Sequence, residues 1–245
     1  MISKSNLIYG FNPVIEAIGA GREIEKIFIL KSMQQVRTSE LINIANQHKI
    51  PFQFVPREKL NRLTRQNHQG VVAMVSAVSF VDIETLLPTI FETGNAPFLV
   101  ILDKITDVRN LGSIARSAEC AGVNAIILPS KGSAMISADA VKTSSGAIQN
   151  IPLCRVENLR QTIQFLKNCG ILMIGASEKA ETNYFSVEYS QPVAIIMGSE
   201  ESGISEELLR LCDKMVKIPM TGETRSLNVA VAAGVIFFEV LRQRM

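Results

Sequence analysis

Three segments of the 245-residue chain carry residue types at spacings that suit binding and transfer chemistry. The first reads DKITDVRNLGSIARSAECAG, from Asp103 to Gly122. Asn110 and Gly112 stand there at an expected helix start, where backbone N–H groups without intrahelical partners favour an anion or a substrate's polar edge. Arg116 follows six residues after Asn110, in an otherwise small and apolar stretch. The second segment, MGSEESGIS, puts Glu200 at the apex of a turn, and Gly198 and Gly203 allow tight backbone geometry near a ligand. The third, IPMTGETRSLNVAVAAG, runs through Gly222 to Ser226 and Asn228, each able to cap a helix or hydrogen-bond a substrate. Taken singly, each residue also has a structural explanation: Asn110 as an N-cap, Arg116 and Glu200 as surface charges.

The elements that must position these residues follow from the hydrophobic pattern. From Phe98 onward, the apolar runs FLVIL, AIILP, ILMIGAS and VAIIMG alternate with the amphipathic segments SIARSAECAG, NLRQTIQFLKNCG and EELLRLCD. That rhythm predicts an α/β domain with a parallel sheet covered on both faces. SLNVAVAAGVIFFEVLRQR predicts a long final helix. Ligands in such sheets bind beyond the carboxyl ends of the strands, and all three segments follow a strand. Upstream, Asn12-Pro13 predicts an N-cap with proline in the first turn, closed by Gly19 or Gly21. IEKIFIL and GVVAMVSAV read as strands and SELINIANQHK as a helix. The expected domains are residues 1–76 and 97–245, joined by a connection over 77–96 that holds Pro88, a short helix and the turn-like ETGNAP.

Several function classes are excluded. No apolar run approaches the ~18 residues of a membrane helix; the nearest, Val229–Phe238, has ten residues with a glycine inside. The first residues lack a secretory apolar run, so a cytoplasmic protein is expected. Cys120, Cys154, Cys169 and Cys212 form no C-x-x-C pair and are expected as buried free thiols. Two histidines, His48 and His68, argue against a metal site and against a histidine-based triad. No strand is followed by G-x-G-x-x-G, and neither a P-loop nor a G-x-S-x-G elbow occurs, which disfavours dehydrogenases, P-loop NTPases and α/β-hydrolases.

The net charge of +2 suggests no strongly basic surface until it is divided. Residues 1–76 hold ten Lys and Arg against five Asp and Glu, a net of +5; the rest hold fifteen against eighteen, a net of −3. Much of the excess lies in REKLNRLTRQNHQG, with Arg57, Lys59, Arg62 and Arg65. That segment is either a solvated helix face or a phosphate-contacting surface.

The three segments, in this order, resemble the motifs of the SpoU (TrmH-type) family of RNA 2′-O-ribose methyltransferases. Asn110-Leu111-Gly112 through Arg116, MGSEESGIS and IPMTGETRSLNVAVAAG carry the resemblance, which covers Phe98 to the C-terminus. YGFNPVIEAI and NHQGVVA resemble that family's substrate-binding domain, a small α/β domain similar to ribosomal proteins of the L30 type. The two-domain arrangement is most like the RlmB-type enzymes, which methylate a guanosine in large-subunit ribosomal RNA. A transfer-RNA methyltransferase and a non-catalytic RNA-binding or ribosome-assembly factor are the alternatives.

The resemblance implies a C-terminal SPOUT α/β domain tied in a deep trefoil knot, S-adenosyl-L-methionine as cofactor, no metal, and a homodimer whose active site is completed across the subunit interface. It implies Arg116 as the group that activates the 2′-hydroxyl or grips its phosphate. Because a guanidinium holds its proton far above neutral pH and is a poor base, a stabiliser of phosphate and developing alkoxide is favoured, with general-base action the alternative. Asn110, Ser226 and Asn228 become hydrogen-bonding positioners, with Glu200 orienting one of them. Gly198, Ile218, Met220 and Leu227 would hold the cofactor, and Arg57, Arg62 and Arg65 the RNA. Thr143 and Ser145, in KTSSGA, are taken as structural. One departure is visible: Asp107-Val108-Arg109-Asn110 stands where the family often has Asp-Pro.

Overall fold

The computed structural model describes residues 7–33, 35–224 and 226–245. Two compact units result: Met1–Ser79 with Met135–Ala138, and Phe80–Ala134 with Asp139–Met245.

The first unit runs β1 (Leu7–Tyr9), α1 (Phe11–Gly19), β2 (Ile24–Leu30), α2 (Gln35–Gln47), β3 (Phe52–Val55), α3 (Arg57–Leu63) and β4 (Val71–Val75). Its sheet has the order β1-β4-β2-β3. β4 pairs antiparallel with β1 and β2, and β2 pairs parallel with β3. Alternation along β2 sends successive side chains to opposite faces. Ile27 and Ile29 meet Val14, Ile18, Leu41 and Ala45 from α1 and α2; Phe28 meets Leu60 of α3 and Val72. The sequence expectation for α1 needs correcting. The helix starts at Phe11 after Gly10, so Asn12 and Pro13 lie inside its first turn. Proline is tolerated there because that N–H has no intrahelical acceptor.

The second unit continues with α4 (Ile83–Glu92), β5 (Phe98–Leu102), α5 (Val108–Cys120), β6 (Ala125–Pro129), α6 (Ala138–Thr143), β7 (Leu153–Val156), α7 (Leu159–Asn168), β8 (Leu172–Ala176), β9 (Thr182–Asn183), β10 (Val193–Met197), α8 (Glu206–Leu209), β11 (Lys214–Lys217) and α9 (Val229–Arg244). Its seven strands form one sheet in the order β7-β6-β5-β10-β8-β11-β9, with every neighbouring pair parallel. β5 and β10 are buried at each residue, which is why their sequences are unbroken apolar runs. One sheet face packs on α4 and α7 through Leu87, Ile90, Ile163 and Leu166. Thus much of the expected 77–96 connection belongs to this unit: Phe80 bridges to Leu153, and α4, capped by Asp82, joins the core. α9 packs against α5, and its Phe237 lies edge-on to Phe98 of β5 at 5.9 Å. No helix among the described residues is long and apolar enough to cross a membrane.

The four cysteines are free, but the expectation that all are buried fails. Cys154, on the edge strand β7, is buried, whereas Cys120 and Cys169 sit at exposed helix ends.

Candidate active site

β5, β10, β8 and β11 are consecutive neighbours in a parallel sheet, so their carboxyl ends lie along one edge. The loops leaving those ends build the site. Asp103, directly after β5, ties two of them together. Its N–H donates to the Met197 carbonyl at 2.8 Å, and its buried carboxylate accepts the Ser205 N–H at 2.7 Å.

Each of the three motif segments is shaped locally for its place. On α5 the N-cap is Asp107, whose side chain accepts the Arg109 N–H at 2.6 Å. This corrects the capping alternative for Asn110: as the third helical residue, its amide is left for other contacts. Val108 opens the helix where a proline was expected from the family pattern, and the Asp107 cap suffices to start it. After β10, Ser199 and Gly203 exchange N–H···O bonds of 3.2 and 2.9 Å, closing a tight turn with Glu200 at its tip. A Cβ on Gly198 would overlap the Gly203 and Ile204 backbone, and Gly203 has a φ of +66°, so glycine is required at both. At α9 the cap is Asn228, whose Oδ1 accepts Ala230 N–H at 3.0 Å and Val231 N–H at 3.3 Å.

These segments meet in one hydrogen-bonded group. Asn110 Nδ2 donates to Glu200 Oε1 at 3.1 Å, and Asn228 Nδ2 donates to the same oxygen. Asn228 Nδ2 also donates to Asn110 Oδ1 at 3.0 Å, and Val229 N–H reaches Glu200 Oε1 at 3.3 Å. The capping role fixes which way the Asn228 amide points. Its oxygen is held by backbone donors, so its nitrogen must face Glu200 and Asn110. The Glu200 carboxylate therefore sits at the positive N-terminus of α9, which favours its charge.

Beside this group opens a pocket of about 610 Å3. Gly198, Ile218, Met220 and Leu227 line it, as do Glu200, Ser226 and Asn228. From Ile218 to Asn228 the described residues form neither helix nor strand, and Ile218, Met220, Ser226, Leu227 and Asn228 among them line the pocket. The loop after β8, with Ser177, Glu178 and Lys179, also lines it, and sequence reasoning missed these residues. Their only sequence signal was the strand ILMIGA; that β8 lies next to β10 is a fact of sheet order.

Other expected residues lie elsewhere. Arg116 is exposed on α5, does not line the pocket, and makes no ion pair or hydrogen bond among the described residues. It stands about 9 Å along the helix and about a third of a turn around from Asn110. Thr143 packs where a Cβ on Gly112 would strike it at 2.8 Å, so Gly112 permits the close approach of α5 and α6. Ser145 is exposed with a φ of +53°, outside the pocket lining. In the first unit, Arg57 and Arg62 lie on α3, Arg65 follows it, and all three are exposed.

Comparison with known proteins identifies this arrangement. Residues 97–238 match the SpoU rRNA Methylase family. The chain belongs to that family. Residues 7–81 match the domain described as RNA 2′-O ribose methyltransferase substrate binding. YacO of Bacillus subtilis, named a TrmH family tRNA/rRNA methyltransferase, is 34% identical over 244 residues, covering 100% of this chain and 98% of that protein. Among solved structures, the SpoU methyltransferase AviRb from Streptomyces viridochromogenes, in complex with AdoMet, is 25% identical. Its TM-score is 0.62, over 97% of this chain and 90% of that one. An AdoMet-bound rRNA methyltransferase from Sinorhizobium meliloti is 26% identical, with a TM-score of 0.63 over 98% of this chain and 88% of the other. This SpoU-family chain is thus an RNA methyltransferase with an RNA substrate-binding domain ahead of the methylase domain.

Proposed function

We propose that this methyltransferase uses S-adenosyl-L-methionine to methylate the ribose 2′-hydroxyl of a guanosine in large-subunit ribosomal RNA, acting in the cytoplasm as a homodimer with a knotted C-terminal domain. The observation that carries the reading is the Asn110–Glu200–Asn228 group at the mouth of the pocket. The end-to-end likeness to the Sinorhizobium enzyme, an rRNA methyltransferase, favours ribosomal RNA.

The pocket residues suit the cofactor. Its volume is in the range of small-molecule sites. Ile218, Met220 and Leu227 are apolar residues flanking a run of backbone, as an adenine requires. Glu178 and Lys179 supply one charge of each sign for a zwitterionic amino-acid end. When bound, S-adenosylmethionine supplies an electrophilic methyl group on its sulfonium sulfur. The protein's share is to hold the 2′-hydroxyl in line and to ease loss of its proton. Ser226 and the Asn110 and Asn228 amides position the ribose, and Glu200 locks both amides. Arg116 stabilises the neighbouring phosphate and the charge developing on the 2′-oxygen.

The position of Arg116 supports the dimer reading. It does not face the pocket of its own chain. Val231 and Phe238 on α9, 52% and 49% exposed, are seven residues apart and share one helix face, and the exposed Leu227 lies just ahead of the helix. A second copy covering this apolar stripe would bring its own Arg116 to the pocket.

The deciding experiment incubates the protein with methyl-labelled S-adenosylmethionine and either total ribosomal RNA or total transfer RNA, then maps the 2′-O-methyl groups. Label at one guanosine of large-subunit RNA is expected. Label in transfer RNA alone would move the substrate to that class, and label in neither would remove the enzymatic reading.

A further inference from the structure

The basic segment of the first unit ends in a loop whose backbone is tied down around Gln69 while the side chain of that residue points to solvent. Gln69 has a φ of +49° and Gly70 one of +86°, two left-handed residues in succession. Glycine adopts this backbone readily, whereas a glutamine does so only where its surroundings enforce it. Here they do. His68, 7% exposed, accepts the Gly70 N–H at Nδ1 at 3.0 Å, which puts its own proton on Nε2, donated to Asn61 Oδ1 at 3.0 Å. Val71 N–H donates to the His68 carbonyl at 2.8 Å, and Leu30 N–H to the Gly70 carbonyl at 2.8 Å. A Cβ on Gly70 would press on Leu30 Cβ at 3.3 Å. Yet the side chains of Gln69 and Asn67 are exposed and make no hydrogen bond among the described residues. A turn that only reversed the chain would form more easily with glycine or asparagine at position 69. The amide is held out to solvent in the segment that carries Arg57, Lys59, Arg62 and Arg65.

We propose that Gln69 reads an unpaired base of the RNA. Its carboxamide sets a donor and an acceptor side by side, which matches the N6 and N7 edge of an adenine. Unstacked bases in loops and bulges are where RNA sequence is read, and the neighbouring arginines would hold the adjoining phosphates. The inference rests on the RNA-substrate reading but concerns binding, so it is tested without methyl transfer. Gln69→Gly removes the amide while keeping, and relaxing, the left-handed backbone. Affinities are measured at matched salt for transcripts of large-subunit rRNA domains and of tRNA, with poly(U) as the comparison. For the transcript bound best by the unsubstituted protein, a loss of about 10- to 100-fold is expected, the span of one two-point base contact. Affinity for poly(U), the salt dependence and the melting temperature should hold or, for the last, rise. Gln69→Asn, which keeps an amide and tolerates this backbone, should lose less. An unchanged preference for the transcript over poly(U), or an equal loss on both, overturns the proposal. Failure of the enzymatic reading would instead appear as absent methyl transfer by the unsubstituted protein.

Discussion

A single carboxylate oxygen, Glu200 Oε1, gathers the Asn110 amide, the Asn228 amide and the Val229 N–H. Because Asn228 spends its oxygen on capping α9, replacing it with aspartate would turn a carboxylate toward Glu200. Asn228→Asp should therefore reduce methyl transfer by about 100-fold or more, the scale of losing a preorganised donor, as read in single-turnover assays. Asn228→Ala loses the cap as well and should cost about 1 kcal/mol in denaturant unfolding. Arg116→Ala is expected to abolish turnover with cofactor affinity intact by calorimetry, and Arg116→Lys should not restore it, since an ammonium lacks the planar fork. Normal turnover in Arg116→Ala would remove the assigned role. At His68, burial first and then the Arg57 charge hold the pKa below the ordinary histidine value. The unfolded chain then takes up this proton before the folded one does. Its contribution is complete above about pH 6.5 and is lost as pH falls below that toward the folded pKa. Melting temperatures between pH 7.5 and 5 should show this decline, and His68→Gln should remove it.

At the scale of elements, the stretches most legible in sequence were those whose burial is uniform. β5 and β10 are enclosed on both faces and read as apolar runs, and α9 was visible from its length. β7 and β9 lie at the sheet margins, are short, and mix polar with apolar residues, so no period marks them. The α9 stripe gives a test of its own. Phe238→Glu, on an exposed position, should leave the protomer folded, shift sedimentation from dimer to monomer, and suppress methyl transfer. Mixing Arg116→Ala with Asn228→Ala protomers should recover activity if each site draws on both chains, because one of the two sites in a mixed dimer is then intact. No recovery would confine the site to a single protomer.

For the whole molecule, the charge divides by function: the RNA-binding part holds the basic excess and the methylase part a slight acidic one. If Arg57, Arg62 and Arg65 each neutralise one phosphate, replacing all three with alanine should flatten the slope of log affinity against log salt by about 2 for single-stranded RNA. An unchanged slope would make them a solvated face. A near-zero total charge thus says little about a chain whose parts do different work.

The sequence by itself determined which residues were available: the three motif segments in order, the apolar strands ahead of them, and the basic stretch near the N-terminus. Local burial is written into local periodicity, so these were readable position by position. Only the tertiary structure decided that β10 lies between β5 and β8, and that Glu200 meets Asn110 across 90 positions and Asn228 across 28. It also decided that Asp107 takes the cap and that Arg116 turns away from its own pocket. Strand order and side-chain direction depend on how elements pack, and residues far apart in the chain carry no local pattern of the contact they will make.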